Sequence, residues 1–171
     1  MNDRELKNLA ASVHQRLLNQ AHATGRPFNE ILQYFAMERF LYRLGESPLS
    51  RSLILKGALM FSVWRAPLSR PTRDIDLLGR IPSRVEEVED AIRTICDQEV
   101  QPDGLVFLGD TVSGKPIMQQ AKYVGVRVGF LAMLGRADPH PSSLVADCLL
   151  HGYLVALTPF YLPSINSLIS V

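Results

Sequence analysis

Cysteine is nearly missing from this chain: Cys96 and Cys148 stand alone, without CxxC spacing and without a histidine at a ligand-like interval. That pattern excludes a disulfide framework and the common zinc sites, and it predicts a cytoplasmic protein. An excess of charge of either sign is missing too, since 18 basic residues oppose 17 acidic ones and leave a net charge of +1. Bulk electrostatics therefore give no reason for strong nonspecific nucleic-acid binding, and any contact with a polyanion must be local. Met1 to Lys7 is charged and lacks the apolar run of an export signal. The chargeless stretch from Cys148 to Val171 is interrupted by His151, Pro159, Pro163 and Asn166, which makes it a poor membrane span, so no membrane association is expected. Ser62 and Ser69 have no accompanying His and Asp set, which disfavours a serine hydrolase. His14 and His22 lie eight apart without acidic companions and read as surface residues.

What is present begins with helical periodicity. Leu6, Leu9, Val13, Leu17 and Leu18 predict an amphipathic helix from Glu5 to Ala23, stopped by Gly25 and Pro27. Asn29 is placed to cap a second helix running to Leu44, with Gly45 ending it and Tyr34, Phe35, Phe40 and Tyr42 spaced for core packing. Ser83 and Glu86 make a capping box for a helix to about Gln98, with Val85, Val88, Ile92 and Ile95 facing inward. Leu105 to Leu108 reads as a short strand, Gly109 to Pro116 as a loop rich in turn formers. Tyr123 to Leu134 reads as a strong strand, with Val124, Val126, Val128 and Phe130 on one side and Arg127 on the other.

The chemistry concentrates between Leu53 and Leu78. A short strand, Leu53 to Leu55, leads into Lys56, Gly57 and Ala58, a small-residue turn that opens a helix. Small residues permit close backbone approach, and the amides at a helix N-terminus point at anions. Sixteen residues after Ala58 comes Asp74, and on the strand Thr72 to Leu78 the alternation of Ile75 and Leu77 with Asp74 and Asp76 puts both acids on one face. Two carboxylates held that close require a cation between them, and Mg2+ suits carboxylate, water and phosphate oxygens. An Asp-x-Asp pair alone is common on exposed strands; the upstream turn is what sets this one apart. Together they predict a nucleoside triphosphate gripped at its phosphates beside a magnesium site, with Lys56, Arg70 and Arg73 as candidate phosphate contacts. The paired acids by themselves also fit other metal-dependent phosphotransfer or phosphodiester chemistry.

The segments "LILKGALMFSVW", "RPTRDIDLLG" and "YVGVRVGFLAMLG" together resemble the AbiEii/AbiGii toxin family, within the DNA polymerase beta-like nucleotidyltransferase superfamily. The likeness runs from about Leu17 to Gly135 and is most specific at Lys56 to Leu59 and Arg70 to Leu78. It implies an α+β fold, a small mixed sheet flanked by helices behind an N-terminal helical pair. It implies magnesium-dependent transfer of a nucleoside monophosphate to a hydroxyl, with a tRNA-like RNA as the expected acceptor. It further implies a toxin with a separate cognate antitoxin and a role in abortive infection, a form of phage defence. Carried over by position, Asp74 and Asp76 match the metal carboxylates, and Gly57 with Ala58 matches the turn. Where Ala58 stands the superfamily commonly has Gly or Ser, so one phosphate hydrogen bond is lost while a backbone amide remains.

A chain of 171 residues predicts one compact unit. Within it the reading separates a helical segment, 1–45, a nucleotidyltransferase-like core, 46–137, and an atypical apolar tail, 138–171. The likeness ends near Ala137, where a further strand with a third acid is expected; Asp138 and Asp147 read as incidental there. A truncated or frame-altered gene copy is the matching expectation. The alternative function is then an inactive remnant that binds nucleotide or antitoxin without turnover.

Overall fold

The computed structural model describes residues 3–57, 59, 74–82, 84–119, 123–135 and 143–152. Helix α1 spans Asp3–Thr24 and α2 spans Phe28–Glu46. They are followed by β1 (Leu53–Lys56), β2 (Asp74–Gly79), α3 (Val85–Cys96), β3 (Leu105–Gln119), β4 (Tyr123–Leu134) and β5 (Ser143–Gly152). The strands form one sheet in the order β1-β2-β5-β4-β3, in which only β2 and β5 run parallel. The architecture is the expected α+β arrangement, a small mixed sheet flanked by helices with an N-terminal helical pair.

Helices α2 and α3 supply the apolar layer against one face of the sheet. Phe40 of α2 meets Phe107 of β3 and Phe130 of β4 with ring centroids 5.8 and 5.0 Å away. Val88, Ile92 and Ile95 of α3 join the same cluster as Ile75, Leu77, Val126 and Val128. These are the inward residues that helical and strand periodicity predicts. Helix α1 packs on α2 through Val13, Leu17 and Ala21 against Ile31 and Leu32.

Several local details differ from the sequence reading. Helix α2 is capped by Pro27 without a side-chain bond, and Asn29 lies inside the first turn. At its other end Gly45 stays helical, and Ser47 takes the C-cap, its hydroxyl donating to the Leu44 carbonyl at 2.8 Å. The N-cap of α3 is Arg84, which pairs with Glu87, and Ser83 of the anticipated capping box lies outside the described residues.

The segment Gly109 to Pro116, expected as a loop, belongs to β3. An irregularity between Leu108 and Ser113 absorbs the turn-forming residues while pairing with β4 continues on both sides. Gly114 is used there for closeness: a Cβ would lie 2.8 Å from Val85 Cγ1, and its amide donates to Glu89 Oε1 at 2.7 Å. A second difference concerns the segment set apart as a tail. Residues 143–152 form β5, the strand between β2 and β4. Its nearly continuous apolar sequence carries no alternation from which a strand could be read.

Candidate active site

Strand β2 fixes the acidic pair by what it buries. Ile75 and Leu77 are both 0 % exposed in the core, so Asp74 and Asp76 occupy the other face, the first exposed and the second half-buried. A one-residue slip would exchange the two sets and drive carboxylates into the apolar layer, so the register of the pair is strongly specified.

The glycine turn lies directly against this pair. Antiparallel pairing of β1 with β2 sets Lys56 opposite Asp76, and Gly57 follows with φ of 74°. A Cβ on Gly57 would overlap Asp76 Oδ2 and sit 2.9 Å from Cγ and 3.0 Å from Cβ of the same side chain. Any other residue therefore meets both a backbone penalty and a displaced carboxylate. Lys56 is half-buried at the end of β1. Of the other residues singled out for phosphate binding, Ala58, Arg70 and Arg73 lie outside the described residues.

On the far side of β2, parallel pairing with β5 sets Asp147 opposite Asp74 and Leu149 opposite Asp76. An acid therefore stands at the register position beside the pair, on the neighbouring strand. Sequence reasoning treated Asp147 as incidental because strand partners are not visible from local pattern. Among the residues whose side chains are described, no three of His, Cys, Asp and Glu converge as a metal cluster. His14, read as a surface residue, is half-buried and packs against Phe28 with ring centroids 4.9 Å apart.

Residues 39–143, which hold both the glycine turn and the acidic pair, match the family model described as nucleotidyl transferase AbiEii toxin, type IV toxin–antitoxin system. The chain belongs to the AbiEii family. No curated protein and no solved structure matches it significantly. AbiEii membership makes this a nucleotidyltransferase-type toxin domain, with nucleotide as the class of substrate and an antitoxin as the class of partner. The AbiEii match extends from within α2 to the first residue of β5. None of the described helices is long and apolar enough to cross a membrane.

Proposed function

We propose that this AbiEii domain transfers a nucleoside monophosphate from a triphosphate to a hydroxyl acceptor, expected to be RNA of tRNA-like kind, in a magnesium-dependent reaction in the cytoplasm. The observation that carries this reading is the closeness of Gly57 to Asp76, whose carboxylate a Cβ at position 57 would overlap: the glycine turn and the acidic pair are one place, not two. Asp74 and Asp76 fit magnesium by donor chemistry, since paired carboxylate oxygens on one strand face are hard ligands for a hard cation. Asp147, at the register position beside Asp74, is assigned as the third acid. The metal, when bound, neutralises phosphate charge and lowers the cost of developing negative charge in transfer.

The chain's own residues then act by position. Backbone at Gly57 holds the triphosphate beside the acids, and Lys56, opposite Asp76 in the register, adds a cation on the same side. The acceptor oxygen bonds to the α-phosphorus while the bond to the bridging oxygen breaks. Pyrophosphate departs with the electron pair, and the hydroxyl proton passes to solvent. No covalent intermediate on the protein is needed. The cognate antitoxin would restrain this activity, which in the cell serves phage defence by abortive infection.

The deciding experiment incubates the purified chain with each α-labelled nucleoside triphosphate, magnesium and a pool of cellular RNA, alongside Asp76→Asn. Label should enter RNA with the wild type and fall by at least about 100-fold in the variant. Magnesium-dependent nucleotide binding without incorporation would identify an inactive binding form, and no binding at all would remove the reading.

A further inference from the structure

Strand register aligns one row of positions across the five described strands, Lys56, Asp76, Leu149, Arg127 and Lys115, and Arg127 and Lys115 share the sheet face of the acidic pair. Arg127 and Lys115, at the far end of this row, are both exposed. Among the described residues neither enters an ion pair. Their sequence neighbours turn the other way: Val126 and Val128 are 1 % and 0 % exposed, and Gly114 lies under Val85 and Glu89 of α3. The acids of α3 are thereby on the opposite side of the sheet. At a strand spacing of about 4.8 Å, Arg127 stands two strands, about 10 Å, from Asp76, and Lys115 one strand beyond.

We propose that Arg127 and Lys115 hold the sugar–phosphate backbone of a single-stranded nucleic-acid acceptor and so set the direction from which its hydroxyl approaches. This assignment rests on the nucleotidyl-transfer reading. In that reaction the oxygen that enters at the α-phosphorus and the bridging oxygen that leaves must lie in line. Pyrophosphate and acceptor therefore occupy opposite sides of the acidic pair. The glycine turn meets Asp76 from the β1 side, which assigns that side to the triphosphate. The acceptor is left with the β5-β4-β3 side, where the two exposed cations stand. With a net charge of only +1, the chain has no general attraction for a polyanion, so grip on an acceptor has to come from such a local pair. A guanidinium and an ammonium suit backbone phosphates, which position a strand without reading its sequence.

The test measures binding of a fluorescein-labelled single-stranded oligoribonucleotide with a free 3′ hydroxyl to the full chain, with magnesium, over a range of salt. In the double variant Arg127→Gln/Lys115→Gln the slope of log affinity against log salt should fall by about 1.4, two contacts at about 0.7 each. Affinity at low salt should drop at least about tenfold. The thermal midpoint and the affinity for magnesium–nucleotide should stay at the wild-type values. Exchange of the two cations, Arg127→Lys/Lys115→Arg, should keep most of the slope. The assignment is overturned if the wild type does not bind the oligonucleotide or if the double variant binds it equally well. It also falls if nucleotide affinity drops in parallel, or if polyglutamate displaces the probe as effectively as unlabelled RNA. Failure of the wild type to bind magnesium–nucleotide would instead remove the transfer reading, and the role of acceptor with it.

Discussion

A single methyl group at position 57 has a consequence that the same methyl group at Gly25 lacks. The backbone there has φ of 74°, and the same is nearly true of Gly25, at 66°. The surroundings differ: nothing lies within 4 Å of a Cβ at Gly25, whereas at Gly57 it overlaps the Asp76 carboxylate. Gly25→Ala and Gly57→Ala should therefore both lose about 1 kcal/mol of stability from the left-handed backbone. Only Gly57→Ala should weaken magnesium–nucleotide binding, by at least about tenfold, because it displaces a proposed metal ligand. Calorimetric titration beside urea unfolding distinguishes the two, and equal binding by both variants would dissociate the turn from the site. Cys96 offers a second residue-scale expectation. Burial, reinforced by neighbouring Asp97, pushes its thiol up to about 12. A folded-state value above the unfolded one stabilises the fold below the ordinary thiol range and loses that contribution as pH rises towards the folded value. Urea midpoints of wild type and Cys96→Ala should accordingly converge between about pH 8 and about pH 11, with the wild type losing ground. The native thiol at position 96 should resist alkylation until the chain unfolds.

Between elements, the best-defined polar link is Arg43 of α2 with Asp103, just before β3. Arg43 Nη1 and Nη2 donate to Asp103 Oδ2 and Oδ1 at 2.7 and 3.1 Å, and both side chains are under a tenth exposed. The guanidinium also lies over Phe107, 4.8 Å from the ring centroid, and donates to the Leu105 and Arg39 carbonyls. Asp103→Ala leaves that cation buried beside carbonyls alone, and it removes the acceptor for the Leu105 amide. A loss of about 3 to 5 kcal/mol is expected, and Arg43→Met/Asp103→Ala should cost less than the sum of the single changes. Denaturant unfolding of the four proteins completes the cycle; additivity would mean that the two groups do not act together. This link also shows where sequence reading of elements stops. The helices were legible because their apolar period is local, and Tyr123 to Leu134 was legible because valines alternate with Gly125 and Arg127. Arg43 pairs with a residue distant in sequence, which no local pattern announces. Likewise Gly109 to Pro116 has a loop's composition, yet pairing with β4 and the α3 contact at Gly114 hold it in a strand.

At the scale of the whole molecule, the acidic pair was readable because Ile75 and Leu77 have to be buried; the lateral row and Asp147 were not, because they exist only once strands are ordered. That ordering depends on β5. It hydrogen-bonds to β2 on one side and β4 on the other, and so joins the antiparallel pair β1-β2 to the antiparallel pair β3-β4. A proline anywhere inside it removes an amide that one of the two neighbours needs, with no edge to absorb the loss. Leu149, the register partner of both Asp76 and Arg127, is the informative position. Leu149→Pro should cost about 3 kcal/mol or more, and the same change at Ile117 of the edge strand β3 should cost less. The comparison is read by urea unfolding, with amide exchange at Ile75 and Leu77 as a site-resolved check. If β5 is the central strand, protection at those two amides should fall in Leu149→Pro and persist in Ile117→Pro. Undiminished protection in both would mean that the sheet closes without β5, and Asp147 would then have no register position beside Asp74 from which to act.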